Sequence, residues 1–374
     1  MQKVLLVKLS SMGDVIHTLP AITDLARACP DIELDWAIDP SFQEIASWHP
    51  FVKNIIPIPI RNWKKKGFLK SIISGEIKHT IKSLKHKSYD YIIDAQGLLK
   101  SALTAYNASC KTNGKKIGYS RKCVRDPIAS LFYDKKYLIS NKLLAVEKTR
   151  ELFAAHFKYK LNKYALDYGI AKKILSKNYK SHKLINKTKN PYIICFHGTT
   201  WTTKVWPTQH WVDFVIESIK KGFAIKITSG NDLEFNRAQK IKLRTLALIP
   251  DAQIQVLPRM ELNDIAILIA HAKASVSSDT GFGHLAAALN LPQVSIFGAT
   301  NSELTRTYGL NQDSIQSDIY CSPCMKRKCL NPRFNELGYP PCYENITAKK
   351  VWIHLDKLIS NTNKKQIKRK IICL

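Results

Sequence analysis

Short apolar runs of strand length alternate with helix-spaced segments along most of this chain, and that alternation restricts the fold more than any other feature. Residues 3–9, KVLLVKL, read as a strand; Ser10 to Asp14 form a turn, and apolar residues from Val15 to Ala28 recur at helical spacing. ELDWAI (33–38) gives a second strand. YDYIIDAQG (89–97) gives a third, ending in a Gly-containing loop before a helix from about Leu98. Such alternation implies a parallel sheet covered on both faces. Between Lys172 and Asn190 the chain turns polar and lysine-rich, which predicts a linker over 176–190. The pattern then restarts, with strands over 192–198, 224–230, 254–258, 274–279 and 293–298 and helices over 210–220, 233–246, 263–270 and 284–289. The expectation is an α/β protein of two doubly wound, Rossmann-like domains facing across a cleft, over 1–175 and 191–345, with a C-terminal helix and basic tail over 346–374. A length of 374 residues suits two such domains.

The charge balance is lopsided: 58 Lys and Arg against 29 Asp and Glu, a net +29. This favours acidic partners, although a generally lysine-rich composition accounts for part of the total. Three clusters stand out. Arg61, Lys64, Lys65, Lys66 and Lys70 are interleaved with Trp63 and Phe68; Lys111, Lys115, Lys116, Arg121, Lys122 and Arg125 follow; Lys364, Lys365, Lys368, Arg369 and Lys370 read as a frayed tail. No nucleic-acid-binding motif accompanies them, so lipid phosphates suit the aromatic-flanked loop at least as well. No run of about 18 apolar residues is present, which excludes a spanning helix. Lys3, Lys8 and Asp14 interrupt any signal-like core, so export is not expected and the nine cysteines read as reduced thiols or metal ligands.

Four loops carry candidate chemistry. SSDTGFGHLAAAL (277–289) delivers Asp279, Thr280 and Gly281 to a helix start, where free amides and the helix dipole bind phosphate; His284 adds a donor. SSMGD (10–14) holds Asp14 at the matching place after the first strand, as a general base or as a plain helix cap. HGTTWTTKVWP (197–207) offers the hydroxyls of Thr199 and Thr200 and the cation of Lys204, a set suited to a diphosphate or simply to a solvated loop. Glu234, shortly after the strand ending at Gly230, can accept both hydroxyls of a ribose or begin a helix. Cys321, Cys324, Cys329 and Cys342, spaced C-x2-C-x4-C-x12-C, leave three readings open: structural zinc, unligated thiols, or disulfides.

Taken together, SSMGDVIHTLPA (10–21), YDYIIDAQGLLKS (89–101), DPIASLFY (126–133), AVEKTRELFA (145–154) and DTGFGHLAAAL (279–289) resemble the ADP-heptose:lipopolysaccharide heptosyltransferases, inverting glycosyltransferases of the two-domain GT-B fold. The likeness spans Met1 to about Leu310. The opening and the IRNWKKKGF loop (60–68) are most like members that add the first heptose to Kdo-lipid A; the cysteine segment 321–342 is more familiar from members that add the second. The resemblance implies ADP-L-glycero-β-D-manno-heptose as donor, Kdo-lipid A as acceptor, no required cofactor, no nucleic acid, and a cytoplasmic enzyme peripheral to the anionic inner membrane. It implies Asp14 as the base, and Thr199, Thr200, Lys204, Thr280, Gly281 and His284 around the donor diphosphate. Glu234 would meet the ribose and Asp279 the heptose. Arg61, Lys64, Lys100, Arg121 and Arg125 would meet the acidic acceptor, and loop 61–70, with Trp63 and Phe68, the bilayer. The competing class is a non-catalytic nucleotide-sugar or nucleic-acid-binding protein using the same charge.

Overall fold

The computed structural model describes residues 1–162, 166–176 and 190–372, with side chains for all of these except 68 and 363–372. It divides into two compact units, Met1–Lys173 and Ile174–Leu374. The expected linker falls largely on 177–189, outside the described residues, as do the side chains of Phe68 and of the terminal lysine cluster.

In the first unit, β1 (Lys3–Val7), β2 (Glu33–Ile38), β3 (Val52–Pro57), β4 (Tyr89–Asp94), β5 (Cys110–Tyr119) and β6 (Lys135–Tyr137) form one parallel sheet in the order β3-β2-β1-β4-β5-β6. Central β1 is wholly buried from Val4 to Val7, which is why it reads as an unbroken apolar run rather than an alternation. The helices are α1 (Met12–Ile16), α2 (Leu19–Ala28), α3 (Gln43–Trp48), α4 (Ile60–Lys66), α5 (Phe68–Ile73), α6 (Glu76–Lys85), α7 (Leu99–Asn107) and α8 (Ala145–Phe157), and the chain leaves the unit through α9 (Ala171–Leu175). Trp63 of α4, Leu84 of α6 and Ala105 of α7 share one core with Leu5, Val7 and Ile92 of the sheet. Helices α2 and α8 pack on one another instead, locked by the Arg150–Asp24 ion pair at 2.6 Å.

Two local expectations need correcting. The helix expected over 15–28 is two helices, because Pro20 is tolerated in a first turn but not in a helix interior. The 60–68 segment is not a loop but α4 and α5, parted by Gly67 at φ +96°; Ile60 and Trp63, one turn apart, fall on the core face.

The second unit repeats the plan. Its strands β7 (Tyr192–Phe196), β8 (Ala224–Ile227), β9 (Ile254–Val256), β10 (Ala274–Ser278), β11 (Gln293–Phe297) and β12 (Gln312–Gln316) lie parallel in the order β12-β11-β10-β7-β8-β9. Numbered within the unit, both sheets read 3-2-1-4-5-6, the doubly wound order that opens a ligand crevice beyond the carboxyl ends of its first and fourth strands. Helices α10 (Thr208–Lys220), α11 (Asp232–Leu246), α12 (Leu262–His271) and α13 (Gly281–Ala288) flank this sheet. A C-terminal helix, Ala348–Ile372, closes its core with Val351, Trp352 and Leu355 and carries helical backbone through the expected frayed tail. Among the described residues no helix is long and apolar enough to cross a membrane.

Candidate active site

The crevice of the first unit opens where β1 and β4 part. Past β1, Asp14 lies in α1, its Oδ2 accepting from the amide and hydroxyl of Ser11, both at 3.1 Å. Arg125 reaches Asp14 Oδ1 at 3.5 Å. Burial alone would raise this carboxyl; the charges of Lys8 and Arg125 and the Ser11 amide outweigh it and hold Asp14 down at about 2. Asp14 is therefore a carboxylate at any physiological pH.

Lys8 joins the site although no motif in the sequence marks it. It directly follows the apolar strand β1, is buried, and donates to the Ala95 carbonyl at 2.9 Å, with burial lowering its pKa. The DAQG turn after β4 holds the base loop in place: Gln96 Oε1 accepts from Leu9 N at 2.7 Å and Ser10 N at 3.4 Å. Asp94 in turn accepts from the amides of Gln96 and Gly97 and the hydroxyls of Ser101 and Tyr133. Polar residues inside an otherwise apolar strand and turn are the available signal for these roles.

Of the expected acceptor cations, three join this group. Lys100 donates to Ser10 Oγ at 2.9 Å, its pKa lowered by burial and by Arg61. Arg61 lies 4.8 Å over the Phe42 ring and 3.8 Å from Asp39. Arg125 completes the set beside Asp14. Lys64 and Arg121 are exposed, and neither bonds to a member of this group among the described residues.

In the second unit the loops past β7 and β10 are stitched together. Thr199 Oγ1 donates to the Asp279 carbonyl at 3.2 Å, and Lys204 Nζ sits 2.7 Å from Asp279 Oδ2. Thr300, past β11, donates to the same oxygen at 2.7 Å, and Trp201 lies under the Lys204 ammonium at 4.6 Å. Thr200 is exposed at the loop tip. Thr280 is the N-cap of α13 and Gly281 its first residue, so first-turn amides open at the end of β10; His284 is buried one turn below. Gly283 is required there, since a Cβ would stand 2.6 Å from Ser277 Oγ.

Glu234 adjoins this loop from β8. Its carboxylate accepts from Gly230 N at 2.7 Å and packs so closely on Gly198 that a Cβ there would lie 2.3 Å from it. Two further residues escape a reading of the sequence. Arg237, one turn beyond, is lowered by burial and raised by Glu234; His197, wholly buried, is held down at about 4 by burial and by Arg237, and so is neutral. Thr300 escapes it as well, because a lone hydroxyl after a strand carries no motif.

The four clustered cysteines converge. Cys321, Cys324, Cys329 and Cys342 line one cavity of about 150 Å³ together with Thr203 and Gly298. Burial and the neighbouring cysteines push the Cys342 thiol up to about 12. Among the described residues, however, no three His, Cys, Asp or Glu side chains are arranged to hold a metal ion. The four thiols are free and share this cavity, with no disulfide among the described residues. The segment also braces the loop past β7, as Thr202 and Thr203 hydroxyls donate to the carbonyls of Arg327 and Lys326 at 3.0 and 2.7 Å. Tyr343 OH donates to the Thr203 carbonyl at 3.0 Å.

Two doubly wound sheets, each opening a switch-point crevice, one with an ionised carboxylate among cations and one with a lysine, hydroxyls and a helix N-terminus, have the element plan of the GT-B transferases. The model of glycosyltransferase family 9 (heptosyltransferase) matches residues 77–334. Lipopolysaccharide heptosyltransferase 1 of Pseudomonas aeruginosa is 38% identical over 366 residues, 96% of this chain and 98% of that protein. The solved structure of the E. coli heptosyltransferase WaaC with ADP superposes with a TM-score of 0.78 at 35% identity, covering 95% of this chain and 99% of that one. The same enzyme with ADP-2-deoxy-2-fluoro heptose gives 0.72 at 38%, covering 84% and 93%. Lipopolysaccharide heptosyltransferase 2 of E. coli stands further off, at 23% identity over 313 residues. The chain belongs to glycosyltransferase family 9, the heptosyltransferases, and is an enzyme of that family.

Proposed function

We propose that this chain transfers L-glycero-D-manno-heptose from ADP-heptose to Kdo of Kdo-lipid A, adding the first heptose of the lipopolysaccharide inner core. The observation that carries the reading is an ionised Asp14 ringed by Lys8, Lys100 and Arg125 at a switch point, where a polyanionic acceptor is drawn to the cations and its hydroxyl to the base. Near-full-length likeness to a type 1 relative, against 23% identity to a type 2 enzyme, supports the first heptose over the second.

In this reading Asp14 removes the acceptor hydroxyl's proton as the oxygen attacks the anomeric carbon in line with departing ADP. The configuration inverts, a β-linked donor giving an α-linked product. A carboxyl at about 2 is ionised but weakly basic. The acceptor's own anions offset that by pairing with Arg125 and Lys100, which weakens the cationic field on Asp14 and raises its proton affinity as the substrate arrives. On the donor side, Lys204, Thr199 and the first amides of α13 take up the charge that develops on the β-phosphate, and Glu234 accepts from the ribose. These groups supply the stabilisation without a metal cofactor, so a chelator leaves turnover unchanged. The enzyme works at the cytoplasmic face of the inner membrane, peripheral to it.

Incubation with ADP-heptose and either Kdo-lipid A or its monoheptosyl product, followed by mass detection, tests the proposal. One heptose added to Kdo-lipid A alone is expected. Addition only to the monoheptosyl product reassigns the chain to the second transfer, and no addition to either overturns the acceptor class.

A further inference from the structure

Two helices of the first unit expose large apolar side chains. α7 buries Ser101, Ala102, Thr104 and Ala105 and exposes Leu99, Leu103 and Tyr106, which lie at i, i+4 and i+7 on one outer stripe. α5 does the same: Ser71 is buried, while Leu69, Ile72 and Ile73 are 76%, 59% and 84% exposed. Burial of apolar surface alone would place these residues the other way round. The 3-10 turn Pro127–Phe132, packed on α7, adds exposed Ile128 and Leu131, and Tyr106 meets Phe132 edge-on at 5.7 Å.

These residues share a single layer. α4, α6 and α7 pack on the same sheet core, α5 joins α4 to α6, and α6 touches α7. The helices α2, α3 and α8 expose no large apolar side chain among the described residues. The layer is also strongly basic: residues 60–85 hold eight Lys and Arg against one Glu, and Lys116 lies 5.0 Å over the Tyr106 ring. A second copy of the chain would set these cations against their own equivalents, whereas an anionic bilayer complements them.

We infer that the outer surface of α4–α7, with the Pro127–Phe132 turn, docks on an anionic lipid bilayer, inserting the α5 and α7 apolar side chains among the headgroups. This deepens the proposed function by naming the surface that meets the membrane. It also moves the apolar contact from Trp63, which is buried, to the next turn of chain. Lys100 and Arg61, on the first turns of α7 and α4, belong to the group around Asp14, so a lipid-linked acceptor held in that bilayer lies beside the base.

The test uses sedimentation with vesicles of phosphatidylcholine, alone or mixed with phosphatidylglycerol. The native chain is expected to bind the mixed vesicles and be released by salt. The triple variant Ile73→Gln, Leu103→Gln, Leu131→Gln is expected to bind at least about tenfold more weakly. Leu138→Gln, at a side chain 70% exposed outside this layer, keeps native binding, and thermal melting checks that each variant is folded. Equal binding by native and triple variant overturns the inference. So does a native chain that ignores the vesicles and self-associates through residues the triple variant removes. Turnover on a deacylated, water-soluble acceptor is read in parallel; its loss in the native chain counts against the proposed function and leaves the vesicle result standing.

Discussion

The loops past β1 and β4 and those past β7 and β10 occupy equivalent places in one topology, yet their electrostatics differ in kind. In the first, the cations Lys8, Lys100, Arg61 and Arg125 outnumber the carboxylates of Asp14, Asp39 and Asp94 that they face. In the second, charge is balanced one to one, Lys204 against Asp279, and the loops are sewn together by Thr199 and Thr300. The first crevice carries surplus positive charge; the second holds its charges in pairs. Topology supplies the place and the side chains supply the chemistry, so each crevice is to be judged by its own residues.

The sharpest way to break this contrast is to remove the Asp14 carboxylate. Asp14→Asn preserves shape and is expected to cut turnover by about 10³-fold, while ADP affinity, read by calorimetry, stays native. Retained turnover would leave the first crevice with no catalytic part in the comparison. Lys204→Ala addresses the second crevice, and a loss of about 10²-fold in kcat with a smaller change in acceptor KM is expected. A pure KM effect would show that Lys204 binds without stabilising the departing charge.

A subtler separation comes from acid. The Asp14 carboxyl shifts from an ordinary 3.8 to about 2 on folding, so as pH falls the unfolded chain takes up that proton first. Its stabilisation is complete above about pH 4, declines between about 4 and 2, and is absent below. A shift of this size corresponds to about 2 kcal/mol. Unfolding free energies from urea titration of native protein and Asp14→Asn, compared at about pH 6 and about pH 2, should converge by that amount. A gap that stays constant would mean the cations do not hold the carboxyl down.

Much of this is legible in the chain itself, for definable reasons. Buried parallel strands such as β1, β4 and β10 announce themselves as apolar runs, and Asp14, Lys204 and Asp279 follow them in recognisable motifs. Edge strand β12, with polar QDSIQ, carries no such signal, and β5 includes the polar stretch KTNGKK. α4 reads as a loop because its lysines mask the spacing of Ile60 and Trp63. Lys8 reads as a break in an apolar segment, whereas its buried ammonium turns into the crevice; only packing reveals that. The Lys204–Asp279 pair joins residues 75 positions apart in the chain and is invisible to local pattern.

Arg125 sharpens the first half of the contrast. Arg125→Ala removes both the proposed acceptor contact and a cation that depresses Asp14, so two effects with different readouts follow. Acceptor KM should rise by about tenfold, and the acid limb of kcat/KM should move to higher pH, because a carboxyl relieved of a positive neighbour binds its proton more readily. A KM change without a moved limb would make Arg125 a binding residue only.

The smallest expected effect probes how the second crevice is kept in shape. Thr203 neighbours Lys204 in the chain and acts on its loop from behind: its buried hydroxyl donates to Lys326 O at 2.7 Å, fastening the loop that carries Lys204 to the cysteine-lined segment. Thr203→Val keeps the side chain's shape and leaves one carbonyl without its partner, a loss of about 1 kcal/mol. If the segment acts by positioning Lys204, kcat should fall about fivefold with donor KM nearly unchanged, and Thr203→Ser should restore it. If stability drops and kcat does not, the segment merely closes the fold, and Lys204 is positioned by Asp279 rather than by this bond.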